Sequence, residues 1–245
     1  MKAGICLLVL LILVGCGSRP LQPSTADHFQ DVTETTLSPL KRRLLALALQ
    51  EWDYFGRQEV VYQDTEESIP HVGIWEDDDL AHSNRVNHYW QAVDLPTLSG
   101  RDCQQPWSAA FISWLMAAAG VPAYQFPPAA AHWAYVAYLS RYAASPAARF
   151  VPHPISVYRP LPGDLICASR GSTALLAQPQ PVQWNLSAPV PMHCDLVVAR
   201  QGRTLEAIGG NVRNSVSKSF LTLDQDGYLQ PTLLRPWFLV IENRL

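Results

Sequence analysis

Along the first half of the chain apolar residues recur at helical spacing, and along the second half they come in short runs between turns. Leu40, Leu44, Leu45, Leu47, Ala48 and Trp52 form one apolar face. Ser38 is placed as its N-cap and Pro39 at the first helical position, and the pattern stops near Gly56. A second helix is expected over Leu80 to Val93. A third covers Trp107 to Ala119 and is stopped by Gly120-Val121-Pro122. A fourth covers Ala129 to Ala144, after the break at Pro127-Pro128. Residues 57–78 carry no clear period and read as irregular. The acidic run Glu76-Asp77-Asp78-Asp79 at their end reads as a helix start, where carboxylates suit the positive helix terminus. It lacks the Gly and the spaced ligands of a calcium loop. From Val151 onward the runs are of strand length, with strands expected at 164–169, 194–199, 204–208, 216–221 and 237–242. Residues 170–192, rich in Pro and Gly, predict a long loop forming a functional rim. Helices first and antiparallel strands after make an α+β domain over residues 38–245.

The N-terminus follows another rule. Lys2 precedes an apolar run from Ile5 to Val14, too short to span a bilayer stably, and Leu13-Val14-Gly15-Cys16 then reads as a bacterial lipobox. Residues 1–15 are thus expected to be a cleaved signal and Cys16 the acylated residue, with a polar tether to residue 37. Gly17 and Ser18, rather than Asp, follow the Cys and point to the outer membrane, periplasmic face. No second stretch of about 20 apolar residues exists, so the lipid anchor at Cys16 is the expected membrane contact. The chain is 48% hydrophobic, enough to fill a core, and its formal charge is −3. No basic cluster suggests a nucleic-acid partner. With Cys6 in the signal and Cys16 lipidated, Cys103, Cys167 and Cys194 remain, an odd number in an oxidising compartment. One disulfide with one free thiol fits that count. Cys167 and Cys194 both fall in expected strands, but sequence leaves the pairing open. With no CxxC pair, neither a zinc site nor any cofactor is expected.

Chemistry concentrates in three places. Ser108 falls in the first turn of the third helix, where free N–H groups and the helix dipole stabilise a developing anion. A hydroxyl there needs a base to act as a nucleophile, and otherwise serves as a cap. His193 opens the strand at 194–199 and is placed to be that base. Asn211, past the next strand, either orients the imidazole or ends the turn that Gly209-Gly210-Asn211 suggests. Trp107 and His132 are assigned to the substrate side of the cleft, His132 alternatively to packing with Trp133 and Tyr135. Asp164, at a strand start, is assigned to the cleft or to structure. Cys103, five residues before Ser108, is an alternative nucleophile without the helix dipole.

Pro106-Trp107-Ser108-Ala109-Ala110-Phe111 resembles the Pro-Trp-Cys-Ala-Ala-Phe motif of CHAP-type peptidoglycan amidases. His193-Cys194-Asp195-Leu196-Val197-Val198 is similar to the strand that carries their base, and Gly209-Gly210-Asn211-Val212 to their Gly-Gly-Asn segment. Pro162-Gly163-Asp164 matches the strand before the His. The resemblance implies a papain-like fold and a Ser108–His193–Asn211 site, with Ser in the nucleophilic Cys position, acting on peptidoglycan stem peptides. The Ser-for-Cys departure also admits a cleft that binds peptidoglycan or a protein without cutting. The chain further resembles an uncharacterised lipoprotein family, the domain of unknown function numbered 2272. Glu51-Trp52, Phe55-Gly56 and His132 with Tyr135 carry that pattern.

The lipobox generates a direct test. Cys16→Ala should leave an uncleaved precursor that takes up no labelled fatty acid. Normal processing and labelling of the variant would overturn the lipoprotein reading.

Overall fold

The computed structural model describes residues 37–63, 65–170 and 189–245, all within a compact unit that spans Asp31–Leu245. Cys16, the signal residues, nearly all of the tether and most of the loop expected at 170–192 lie outside the described residues.

Helix α1 (Pro39–Tyr54) starts as the sequence suggests: the Ser38 side chain accepts the Lys41 N–H at 3.2 Å, with Pro39 in the first turn. Helix α2 (Leu80–Gln91) is capped by Asp79, which accepts the His82 N–H at 2.8 Å. The other acids of that run serve elsewhere. Asp78 accepts the Trp75 N–H, and Glu76 turns into the interior. Glu51 of α1 is buried and is met by Tyr89 and Arg85 of α2, the Arg85 Nε at 2.7 Å, which ties the two helices. Helix α3 (Ser108–Ala119) ends where Gly120 takes a left-handed conformation, φ 94°. Helix α4 (His132–Tyr142) is shorter than its apolar pattern. The residues before it are held differently: the Ser113 hydroxyl on α3 accepts the Ala129 N–H at 3.0 Å and donates to the Ala129 carbonyl at 3.1 Å.

The expectation that 57–78 is irregular is corrected. That segment folds as a hairpin, β1 (Gln58–Gln63) with β2 (Glu66–His71). Val60 and Tyr62 are buried on one face of β1, and Gln58 sits fully buried because its amide is occupied. It donates to the Val212 carbonyl and Ser217 Oγ and accepts from the Gly73 N–H. β2 is an exposed, charged edge strand. The remaining strands are β3 (Phe150–Pro154), β4 (Leu165–Ser169), β5 (Met192–Gln201), β6 (Thr204–Val212), β7 (Ser215–Thr222) and β8 (Trp237–Asn243). The last five match the expected strands, while β3, with two prolines at a sheet edge, was not expected.

The eight strands form one sheet in the order β2-β1-β7-β6-β5-β4-β8-β3. Every neighbouring pair is antiparallel except β1 with β7. The fold is therefore α+β, as expected, with a mostly antiparallel sheet and with a hairpin set between the first two helices. One apolar cluster fills the space between helices and sheet, joining Leu44, Trp107, Phe111, Leu115 and Tyr135 to Cys194, Leu196 and Ile208. A second cluster lies around Val60, Ile166, Val197, Ala207, Leu221 and Val240. The sheet is thus buried on alternating positions of both faces in its centre, as β4 and β8 display.

Cys167 and Cys194, register partners on β4 and β5, form a disulfide across 27 residues, and the Cys103 thiol is free. Closing a loop of that length stabilises a fold by about 3–4 kcal/mol in the chain-entropy account. Urea unfolding of the Cys167→Ala/Cys194→Ala variant should therefore show a loss of about 3 kcal/mol. An unchanged midpoint would refute the stabilising role.

Candidate active site

Ser108 is the first residue of α3, and it does not cap that helix with its side chain. Its Oγ lies 2.6 Å from Nε2 of His132, the first residue of α4. The two are 2% and 4% exposed, so the bond is shielded from water. A serine hydroxyl that donates here makes Nε2 the acceptor and puts the ring proton on Nδ1. That nitrogen faces the Tyr135 hydroxyl at 2.5 Å. His132 and Tyr135 meet because they stand three apart on one helix. Burial, and secondarily the positive fields of His193 and Arg170, hold the His132 pKa well below the ordinary histidine value. The imidazole is therefore neutral at pH 7, the form that can take a proton. The imidazole bonded to Ser108 is thus His132, which sequence reasoning had assigned to the substrate side, and not His193.

His193 lies beside this pair. Its ring packs edge-to-face on His132 with centroids 5.5 Å apart, and its Nε2 lies 2.6 Å from Oδ1 of Asp195. The two residues alternate along β5 and so share one face of the strand. Both are buried. Burial lowers the His193 pKa, against the raising effect of Asp195. On its other side Nη2 of Arg170 stands 3.4 Å from the His193 Nδ1.

The two glycines read as a turn belong to β6, and each accommodates a neighbour. A Cβ on Gly209 would stand 1.7 Å from Oδ1 of Asp195. One on Gly210 would stand 2.5 Å from the Trp107 ring and 2.6 Å from Phe111 Cβ. The first glycine admits the carboxylate that pairs with His193, and the second lets the start of α3 lie against the strand. Only after them does the chain turn, with Asn211, Arg213 and Asn214 at φ 56°, 52° and 62°.

Asn211 orients a different group from the one expected. Its Nδ2 donates to Oε2 of Glu76 at 2.9 Å, and the Trp107 indole N–H donates to the same oxygen. Burial pushes the Glu76 pKa up against these two donors, and its Oε1 is buried without a hydrogen-bond partner. Trp107 itself is a core residue stacked on Tyr89, ring centroids 5.5 Å apart. Asp164 accepts the N–H groups of Leu161 and Asn243, each at 2.8 Å, and so ties the start of β4 to the end of β8. Burial raises its pKa to about 7. Cys103 is exposed on a loop, where partial desolvation and the charges of Asp77 and Glu76 hold its thiol above the usual range, the reverse of an activated cysteine. No cluster of three or more His, Cys, Asp or Glu suited to a metal occurs among the described residues.

Sequence reasoning gave Asp195 and Arg170 no role and read Glu76 only as part of a helix start. For Asp195 a signal existed: a His-x-Asp spacing in a strand puts both side chains on one face. Nothing local marks Glu76, whose partners lie 31 and 135 residues away.

A family model for uncharacterized proteins conserved in bacteria (DUF2272) matches residues 75–241. The chain belongs to that family. The matched stretch holds Glu76, Ser108, His132, His193, Asp195 and Asn211, and leaves α1, β1 and β2 outside it. No curated protein and no solved structure matches the chain.

The buried histidines set a pH dependence. Their folded pKa values lie below the unfolded value of about 6.5, so their contribution to stability is full above that pH and is lost as pH falls through it. Each can remove up to about 1.4 kcal/mol per pH unit over that window. His132→Asn should therefore lose less stability than wild type between pH 7.5 and pH 5 in urea titrations. Equal losses would show that His132 is not a buried neutral base.

Proposed function

We propose that the protein is an amide hydrolase of the CHAP-like, papain-like kind, anchored by a lipid at Cys16 to the periplasmic face of the outer membrane and acting on peptidoglycan stem peptides. Ser108 is the nucleophile and His132 its base. The observation that carries this reading is the 2.6 Å contact between Ser108 Oγ and a neutral imidazole at a helix N-terminus. The substrate class rests on the resemblance of the Ser108, His193 and Gly209-Gly210-Asn211 motifs to those of peptidoglycan amidases. The lipobox would hold the chain close to that substrate.

In this mechanism His132 Nε2 takes the hydroxyl proton as Oγ attacks the amide carbonyl. The oxyanion of the tetrahedral intermediate forms at the first turn of α3, whose N–H groups have no helical acceptor. His132 then gives its proton to the leaving amine, and a water activated by the same nitrogen releases the acyl group. Tyr135 accepts from Nδ1 throughout and keeps the ring in the useful tautomer. Asp195 holds His193 by its 2.6 Å contact, and so positions the ring that packs on His132. Serine fits this setting better than cysteine: a buried imidazole with a depressed pKa acts as a general base for an alcohol, but holds a thiolate–imidazolium pair poorly.

A second reading, a wall-binding lipoprotein without turnover, is favoured by the burial of both Ser108 and His132. Incubating the full mature chain in detergent with muropeptides, and reading products by mass, separates the two. The hydrolase reading expects turnover that Ser108→Ala and His132→Ala each reduce at least about 100-fold, with the double variant scarcely worse. It also expects the acidic limb of kcat/KM to lie below pH 6.5. Undiminished turnover by Ser108→Ala would eliminate the serine mechanism, and an inert wild type would leave the binding reading.

A further inference from the structure

Beside the buried polar cluster lies an open cavity of about 920 Å³ whose wall includes Arg170, Arg235 and Asn211 and whose rim includes Leu233 and Leu234. We infer that this cavity is a carboxylate subsite, in which Arg170 and Arg235 hold the free C-terminal carboxylate of a short peptide while the two leucines contact its apolar side chains. The carboxylate site stands on the cavity alone; that the peptide is a peptidoglycan stem rests on the amidase reading.

The charge balance of the wall is the main argument. Among the described residues three arginines line the cavity. Arg213 is neutralised by an ion pair with Glu67. Arg235 donates Nε to the Tyr62 hydroxyl at 2.8 Å, and Arg170 faces the His193 ring. Neither makes an ion pair with any described carboxylate. Residues 171–188, which follow Arg170, contain no Asp or Glu. Among the described residues, two guanidinium groups therefore face one concave space with neutral direct hydrogen-bonding partners, the Asp195 carboxylate standing behind His193. Their mutual repulsion is felt at Arg170, whose pKa is lowered by burial and then by Arg235, against a smaller raising effect of Asp195. An anion in the cavity would relieve that repulsion, and a guanidinium presents paired N–H donors that match the two oxygens of a carboxylate. Leu233 and Leu234 are 69% and 49% exposed, an apolar lip next to a cationic wall. That combination suits an amphiphilic ligand with a charged end better than a bare inorganic anion.

The position gives the subsite its meaning. Arg170 touches His193, which packs on His132, the base proposed for Ser108. Asn211, also in the wall, reaches Glu76 and through it Trp107, the neighbour of Ser108. A bound carboxylate would thus sit against the residues that hold the buried cluster in place. It would also select peptides with a free end over chains whose end is cross-linked.

Calorimetric titration of the full mature chain at low salt tests this, with acetyl-alanyl-alanine as probe against its C-terminal amide and against inorganic phosphate. The free acid should bind at least about tenfold tighter than the amide, the scale of a charged hydrogen-bonded contact. Arg170→Gln and Arg235→Gln should each weaken the acid at least about tenfold, and Arg170→Lys should restore part of the loss. Added salt should weaken the acid and leave the amide unchanged. Equal binding of acid and amide, or no binding of the acid by protein with a native unfolding curve, overturns the inference. Displacement of the acid by phosphate at lower concentration overturns the peptide assignment. The two readings fail separately. Discrimination of acid from amide by a chain without turnover upholds the subsite and removes the hydrolase, and turnover with acid and amide treated alike does the reverse.

Discussion

The close approach of α3 to β6 at Gly210 is the constraint on which the site depends. The helix start comes down where the strand lacks a side chain, so that Trp107 and Phe111 take the space a Cβ would need. That contact places Ser108 deep in the molecule, at the level of β5, and lets Trp107 reach Glu76. From the same helix Ser113 holds the backbone at Ala129, and so determines where α4 begins and where His132 stands. A substitution at Gly210 would accordingly disturb both halves of the Ser108–His132 bond.

Around that contact the molecule buries polar groups in two chains. One runs from Ser108 through His132 to Tyr135, with His193 and Asp195 alongside, and the other from Trp107 through Glu76 to Asn211. Buried polar groups are costly unless satisfied, and here nearly every one has a partner. Within these two chains the exception is Oε1 of Glu76, which suits a water or a ligand group. Such satisfied networks impose one arrangement on a core that apolar packing alone would leave adaptable.

Much of this fold was legible from pattern. The cap at Ser38, a helix start at the acidic run, the stop at Gly120 and the five C-terminal strands follow rules of local chemistry that tertiary contacts did not override, although Asp79 caps that helix from outside its first turn. The hairpin β1–β2 escaped because Gln58 and Glu59 open it and β2 is polar. What makes Gln58 a buried strand residue is a set of acceptors more than 150 residues away. At the candidate site two expected pairings differ: Ser108 bonds His132 and Asn211 bonds Glu76, where both were expected on His193. The sequence pattern pointed from Ser108 to His193, yet the hydrogen bond goes to His132. The geometry that decides this is set by the path through Pro127-Pro128 and the Ser113 anchor, which no periodicity encodes.

The disulfide has a consequence beyond stability. Arg170 follows Cys167 by three residues and His193 directly precedes Cys194, so the bridge clamps the two strands at the point where the cavity wall meets the buried cluster. A chain whose thiols are still reduced lacks that clamp, and the register of Arg170 against His193 then rests on strand pairing alone. The geometry of the cavity wall is in this way coupled to the redox state of two thiols that lie outside it.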